Sequence, residues 1–117
     1  MKKENKVEKC VLCGMCRMVC PVFGQKKDEK YSPRGKAAII KDKEEPDMSF
    51  YDCTTCGACK EQCHINVDLP ILKERERLVR SGRETDANKR MIANIRKYGN
   101  PFGKVKKGEV PLELYCC

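Results

Sequence analysis

The chain has 117 residues, 36% charged and 40% apolar, with four Tyr, three Phe, no Trp and ten Cys, and its formal charge is +8. Such a chain fits one small domain with little aromatic material for a core, so a further cohesive element is expected. No run reaches about 18 apolar residues and no apolar stretch follows the basic start MKKENKVEKC, so neither a membrane-spanning helix nor a secretory signal is expected; cytoplasmic residence follows, where ten Cys point to metal before disulfides.

In chain order, the first feature is a run of four cysteines, Cys10, Cys13, Cys16 and Cys20, closed by Pro21. The segment YSPRGKAAII, from Tyr31 to Ile40, then predicts a helix of roughly three turns, with Ser32 as N-cap, Pro33 at the first helical position and an apolar patch from Ala37 to Ile40. The following KDKEEPD is a charged connector closed by Pro46. A second run, Cys53, Cys56, Cys59 and Cys63, repeats the internal spacing of the first: aligned on their cysteines they read CVLCGMCRMVCP and CTTCGACKEQCH, with Gly14 opposite Gly57. This short repeat predicts a pseudo-symmetric pair of sites.

Asp68 then reads as an N-cap with Pro70 in the first turn, and Leu69, Ile71, Leu72, Leu78 and Val79 fall on one face of a helix stopped by Gly82. A last helix is predicted from about Asp86 to Tyr98, with Met91, Ile92, Ile95 and Tyr98 at helical spacing and Gly99 and Pro101 beyond it. Both stripes read as core faces. The tail from Val105 to Cys117 reads as extended, its VPLELYCC alternating weakly.

The cysteine runs carry the chemistry. Zinc is disfavoured, because structural zinc sites draw two ligands from each of two separated knuckles, whereas each run here crowds four thiols into eleven residues. The spacing C-x2-C-x2-C-x3-C, followed by Pro in the first run, is that of bacterial two-cluster ferredoxins, in which the fourth Cys ligates the other cluster. On that pattern Cys10, Cys13, Cys16 and Cys63 hold one [4Fe-4S] cluster, and Cys53, Cys56, Cys59 and Cys20 hold the second. Gly14 and Gly57 are expected to let backbone N–H groups come close to cluster sulfur. An all-thiolate cubane has no ligand position to spare for substrate, so one-electron transfer is the expected function and no catalytic residue is assigned. His64, the only His, reads as a surface or outer neighbour of the second run, and no GxGxxG or Walker loop suggests a nucleotide.

The basic excess raises a competing reading, a cluster- or zinc-containing regulatory module that binds nucleic acid. It is disfavoured: the charge is spread, +3 over residues 1–63 and +5 over 64–117, with no basic and aromatic patch. Eight thiolates and two oxidised cluster cores would bring the net charge to about +4, so much of the excess balances anionic clusters. The remainder suits a basic docking surface for a protein on the Lys73 to Lys97 helices.

The motifs CVLCGMCRMVCPVF, YSPRGK, CTTCGACKEQCHINVD and GNPFG together resemble the ferredoxin module of heterodisulfide-reductase-like iron–sulfur proteins, over roughly residues 7–103. The resemblance implies a mainly α fold, an alpha-helical ferredoxin with two cross-ligated [4Fe-4S] clusters over residues 1–103. The remaining 104–117 would be an extended tail, read as the truncated start of a CCG-type domain, with free surface thiols as the other reading of Cys116 and Cys117. It also implies a CCG-type catalytic iron–sulfur partner subunit, a flavoprotein or ferredoxin electron donor, no nucleic acid, and at most peripheral membrane association through a partner. Disulfide reduction by this chain alone is not expected.

Overall fold

In the computed structural model, which describes residues 6–111, the secondary structure is helical. The α-helices are α1 (Pro21–Lys26), α2 (Pro33–Lys41), α3 (Ala58–Gln62), α4 (Ile71–Arg80) and α5 (Asp86–Tyr98), with 3-10 turns at Val7–Lys9, Met15–Val19, Glu29–Tyr31 and Met48–Phe50. Among the described residues no strand exceeds the single bridge residue Val67. The chain divides into two compact units, Met1–Ser81 and Gly82–Cys117.

The first unit is organised around α2. Its start is fixed as the sequence predicts: the buried Ser32 hydroxyl accepts the Gly35 N–H at 2.8 Å and donates to Glu29 Oε1 at 3.0 Å. Gly35 is required there, because a Cβ would lie 2.0 Å from the Glu29 carbonyl oxygen. The first turn of α2 therefore packs directly on the backbone of the Glu29–Tyr31 turn.

Two small apolar clusters meet at α2. One joins Val7, Ala37 and Val67, with Leu12 and Ile65 at its edge; the other joins Phe50, Ile71 and Leu78, with Ile39 and Tyr51 at its edge. Ile40 and Leu69 touch both. With the rings of Pro33 and Pro46, those six are the buried apolar side chains among the described residues, which leaves the unit short of core, in keeping with its composition. Cysteines stand where the apolar material runs out: Cys10 and Cys63 border the first cluster, and Cys53 borders the second.

Helix α4 corrects two expectations. Asp68 is not its N-cap, because the helix begins at Ile71 after Pro70, whose φ of −78° and ψ of 55° form an inverse γ-turn with the Ile71 N–H on the Leu69 carbonyl at 2.8 Å. That turn uses up the geometry a cap at Asp68 would need, and the Asp68 carboxylate pairs instead with Lys60 at 3.6 Å. The buried stripe is also narrower than expected: Ile71, Glu74 and Leu78 face inward, while Leu72 and Val79 are exposed. Glu74 tolerates burial because Arg77, one turn on, donates to its carboxylate at 2.7 Å.

In the second unit, α5 has the predicted bounds, with Thr85 Oγ1 accepting the Asn88 N–H at 3.2 Å and Gly99 closing the helix in the left-handed conformation. Its stripe is not the core face expected, since no residue of the helix is buried. One helix and a turn offer too little surface to cover it. The NPFG segment is a folded turn in which the Asn100 amide accepts the Phe102 N–H at 2.9 Å and donates to the Gly103 carbonyl at 3.0 Å. Past it the chain is not extended throughout, as Glu109 N–H returns to the Lys106 carbonyl at 3.1 Å. Cys116 and Cys117 lie outside the described residues.

Candidate metal centre

The two cysteine runs fold alike. In each, the residue two after the first cysteine is left-handed, Leu12 and Thr55 both at φ 55°, and its N–H approaches that cysteine's sulfur, at 3.4 Å for Cys10 and 3.5 Å for Cys53. Two residues later Gly14 and Gly57 take φ of 84° and 77° and start the Met15–Val19 turn and α3, which pack on one another. The left-handed backbone gives the glycines a reason of its own. A Cβ on Gly57 would meet nothing within 4 Å, and it is the left-handed backbone, costing a residue with a Cβ about 1–2 kcal/mol, that selects glycine.

Each strained loop is held from behind by a cation. Lys41 Nζ donates to the Cys10 carbonyl at 2.5 Å. Arg75 donates to the carbonyls of Phe50 at 2.9 Å, Tyr51 at 3.1 Å and Cys53. The carbonyl of the first cysteine in each run is therefore fixed to a helix, α2 for the first run and α4 for the second.

The thiols gather around two cavities in the first unit. One, of about 30 Å³, is lined by Cys10, Cys13, Cys16 and Cys63, with Arg34 and the exposed His64 at its edge. The other, of about 270 Å³, is lined by Cys20, Cys53, Cys56 and Cys59, with Lys36 and the Lys60–Asp68 pair. Each cavity takes three cysteines from one run and one from the other. Cys20 also caps α1, its sulfur accepting the Phe23 N–H at 3.5 Å. Cys13 and Cys56, equivalent in the repeat, are exposed, whereas Cys16 and Cys59, also equivalent, lie deeper.

Burial, and then the negative neighbours Cys59, Cys10 and Cys13, push the Cys16 thiol up to about 11. Burial also raises Cys59, assisted by Cys53, Cys56 and Cys20. The Ala58 N–H and the Thr54 hydroxyl lower Cys56. Cys16 stands in the Met15–Val19 turn and Cys59 in α3, which pack on one another, so the inner corners of the two sets are neighbours.

The donors around both cavities are chiefly sulfur, four thiols each, with His64 and the Lys60-paired Asp68 at the edges, which favours iron–sulfur clusters, zinc or Cu(I). A single zinc needs all its thiolate sulfurs about 2.3 Å from one point. Among the described residues no three His, Cys, Asp or Glu side chains converge in the way a single ion requires. A cluster offers several irons, so its thiolates stand farther apart, and four thiols around a shared cavity fit that chemistry.

Four cations beside the sites escaped the sequence reading: Arg34, Lys36, Lys41 and Arg75. A signal was present for two of them, since a glycine within a helical pattern marks a close packing contact, and Arg34 and Lys36 flank Gly35.

By its sulfur-lined cavities and short helices the chain is an iron–sulfur protein, and it belongs to the 4Fe-4S dicluster domain family, whose pattern matches residues 6–67 with both cysteine runs. Over 91% of its length it is 25% identical to an uncharacterized iron-sulfur protein of Methanococcus maripaludis, covering 24% of that protein. It is also 26% identical, over 95% of its length, to lactate utilization protein B of Macrococcus caseolyticus, covering 30% of that protein. The chain thus spans less than a third of the length of these relatives. No helix among the described residues is long and apolar enough to cross a membrane.

Proposed function

We propose that this chain is an electron-transfer module carrying two cross-ligated [4Fe-4S] clusters, one on Cys10, Cys13, Cys16 and Cys63, the other on Cys53, Cys56, Cys59 and Cys20. The observation that supports it most is the composition of the two cavities, each lined by three cysteines of one run and the fourth of the other. When bound, a cubane supplies one-electron storage and transfer. The protein supplies the rest. Left-handed loops present N–H groups to the Cys10 and Cys53 sulfurs, Lys41 and Arg75 hold the loops in place, and exchanged cysteines tie the two runs together. The neighbouring inner thiols Cys16 and Cys59 shorten the path between the sites, and the exposed Cys13 and Cys56 offer each site an edge toward a partner.

In this reading the chain passes electrons between a flavoprotein or ferredoxin donor and a CCG-type catalytic iron–sulfur partner, as in heterodisulfide-reductase-like proteins, in the cytoplasm and without nucleic acid. Similarity to lactate utilization protein B favours a second reading of the partner, an assembly that serves lactate utilization. The test is anaerobic purification with iron and sulfide counts and electron paramagnetic resonance of the reduced protein. About eight irons per chain with interacting spin signals are expected. Cys20→Ser should lose the second cluster and spare the first. Zinc in place of iron, or a Cys20→Ser variant with undiminished iron, overturns the reading.

A further inference from the structure

Lys36 is buried, 2% exposed, yet it lines the larger sulfur cavity. Its ammonium donates to the carbonyls of Lys30 at 3.2 Å and Tyr31 at 2.9 Å and stands 5.9 Å and 5.7 Å from the ring centroids of Tyr31 and Phe50. No carboxylate is among these partners. Burial of an ammonium without a counter-ion is costly, so the position asks for an anion from elsewhere. Burial lowers the Lys36 pKa, and the groups that oppose it most strongly are the thiols Cys53 and Cys20, ahead of Asp47 and Asp52. The other charges around that cavity, Lys60 and Asp68, pair with each other.

The smaller cavity differs. Its cation, Arg34, is 41% exposed and lies 3.6 Å from the Glu29 carboxylate, which also binds Arg17 at 2.8 Å. Water and a carboxylate therefore already compensate Arg34, whereas Lys36 is held in a poorly screened place.

Resting on the two-cluster reading, we infer that Lys36 is the charge-compensating residue of the Cys20, Cys53, Cys56 and Cys59 site and sets its cluster at a higher reduction potential than the other. The sign follows from charge. Reduction adds one negative charge to the site, and a fixed, desolvated cation beside it stabilises the reduced form more than the oxidised one. Gly35 serves this arrangement by letting α2 sit on the Glu29–Tyr31 turn, which brings the Lys30 and Tyr31 carbonyls to the ammonium. Two sites with nearly the same backbone thus become an ordered pair, with the electron resting beside Lys36.

The test is a redox titration of the reconstituted full chain followed by electron paramagnetic resonance, with iron counted in every sample. Wild type should titrate in two waves, the higher of which is absent from Cys20→Ser. Lys36→Met should lower that wave by at least tenfold in the reduction equilibrium, about 59 mV for one electron, and leave the other in place. Lys36→Arg, which keeps the charge, should stay near wild type. If Lys36→Met moves neither wave, or both equally, the inference is overturned while the eight irons still support two clusters. If Lys36→Met loses half the iron, recovery of it in Lys36→Arg supports the role of charge, and equal loss in Lys36→Arg makes Lys36 a packing residue and overturns it. A wild-type chain without about eight irons fells the two-cluster reading first.

Discussion

The two cysteine loops share a backbone and differ in what surrounds it. Each has a left-handed residue two after its first cysteine, a left-handed glycine two further on, and a cation on the first cysteine's carbonyl. The first loop is fixed by one lysine and borders a half-exposed arginine paired with Glu29. The second is fixed by an arginine reaching three carbonyls and borders a buried lysine. The repeat therefore dictates which thiols face the two cavities, while unrepeated residues on α2 and α4 dictate the electrical setting. Duplicated cysteine runs give a pair of sulfur-lined cavities, and their unlike neighbours make the pair asymmetric.

The most severe way to break the comparison is Gly35→Ala, because α2 sends Arg34 to one cavity and Lys36 to the other. A Cβ 2.0 Å from the Glu29 oxygen forces the helix off its seat, with an expected loss of about 3 kcal/mol or more and impaired cluster content at both sites. Denaturation of the reconstituted variant and its iron count measure this; a loss confined to one site would contradict a shared seat.

A smaller effect separates the two loops. Arg75→Met should cost about 2–3 kcal/mol and chiefly disturb the Cys53 loop, as three carbonyls lose a charged donor, whereas Lys41→Met should cost about 1–2 kcal/mol and disturb the Cys10 loop. Equal losses would show that the arginine's extra hydrogen bonds add nothing. Smallest is a difference in rate within the apoprotein. Thiolate is the reactive form, so the exposed Cys56, with its lowered pKa, should be alkylated by iodoacetamide before the half-buried Cys16, whose pKa is pushed up to about 11. Peptide mass spectrometry over a time course reads the order, and early labelling of Cys16 would contradict the depth assigned to it.

Much of this was legible in the sequence because it is local. Cysteine spacing, the Ser32 and Pro33 helix start and the bounds of α5 depend on neighbours within a few residues. What escaped is non-local or turns on a single dihedral. The Asp68 cap failed because Pro70 adopted an inverse γ-turn, an outcome that the same residues do not announce. The α4 stripe lost Leu72 and Val79 to solvent and admitted Glu74, since a partner one turn away decides whether a carboxylate can be buried. Lys36 was invisible for the same reason: a lysine in a helix reads as solvated until the Glu29–Tyr31 turn is seen closing over it.

The small number of buried apolar side chains among the described residues has a further consequence for the life of the protein. A core that small, bordered by thiols, makes assembly of the metal centres a large share of the stability of the fold, so maturation also tightens a marginally stable apoprotein. Iron starvation or oxidative loss of the clusters would then present the cell with a loosened chain open to proteases, and the abundance of this protein would report on iron and oxygen without a dedicated sensor.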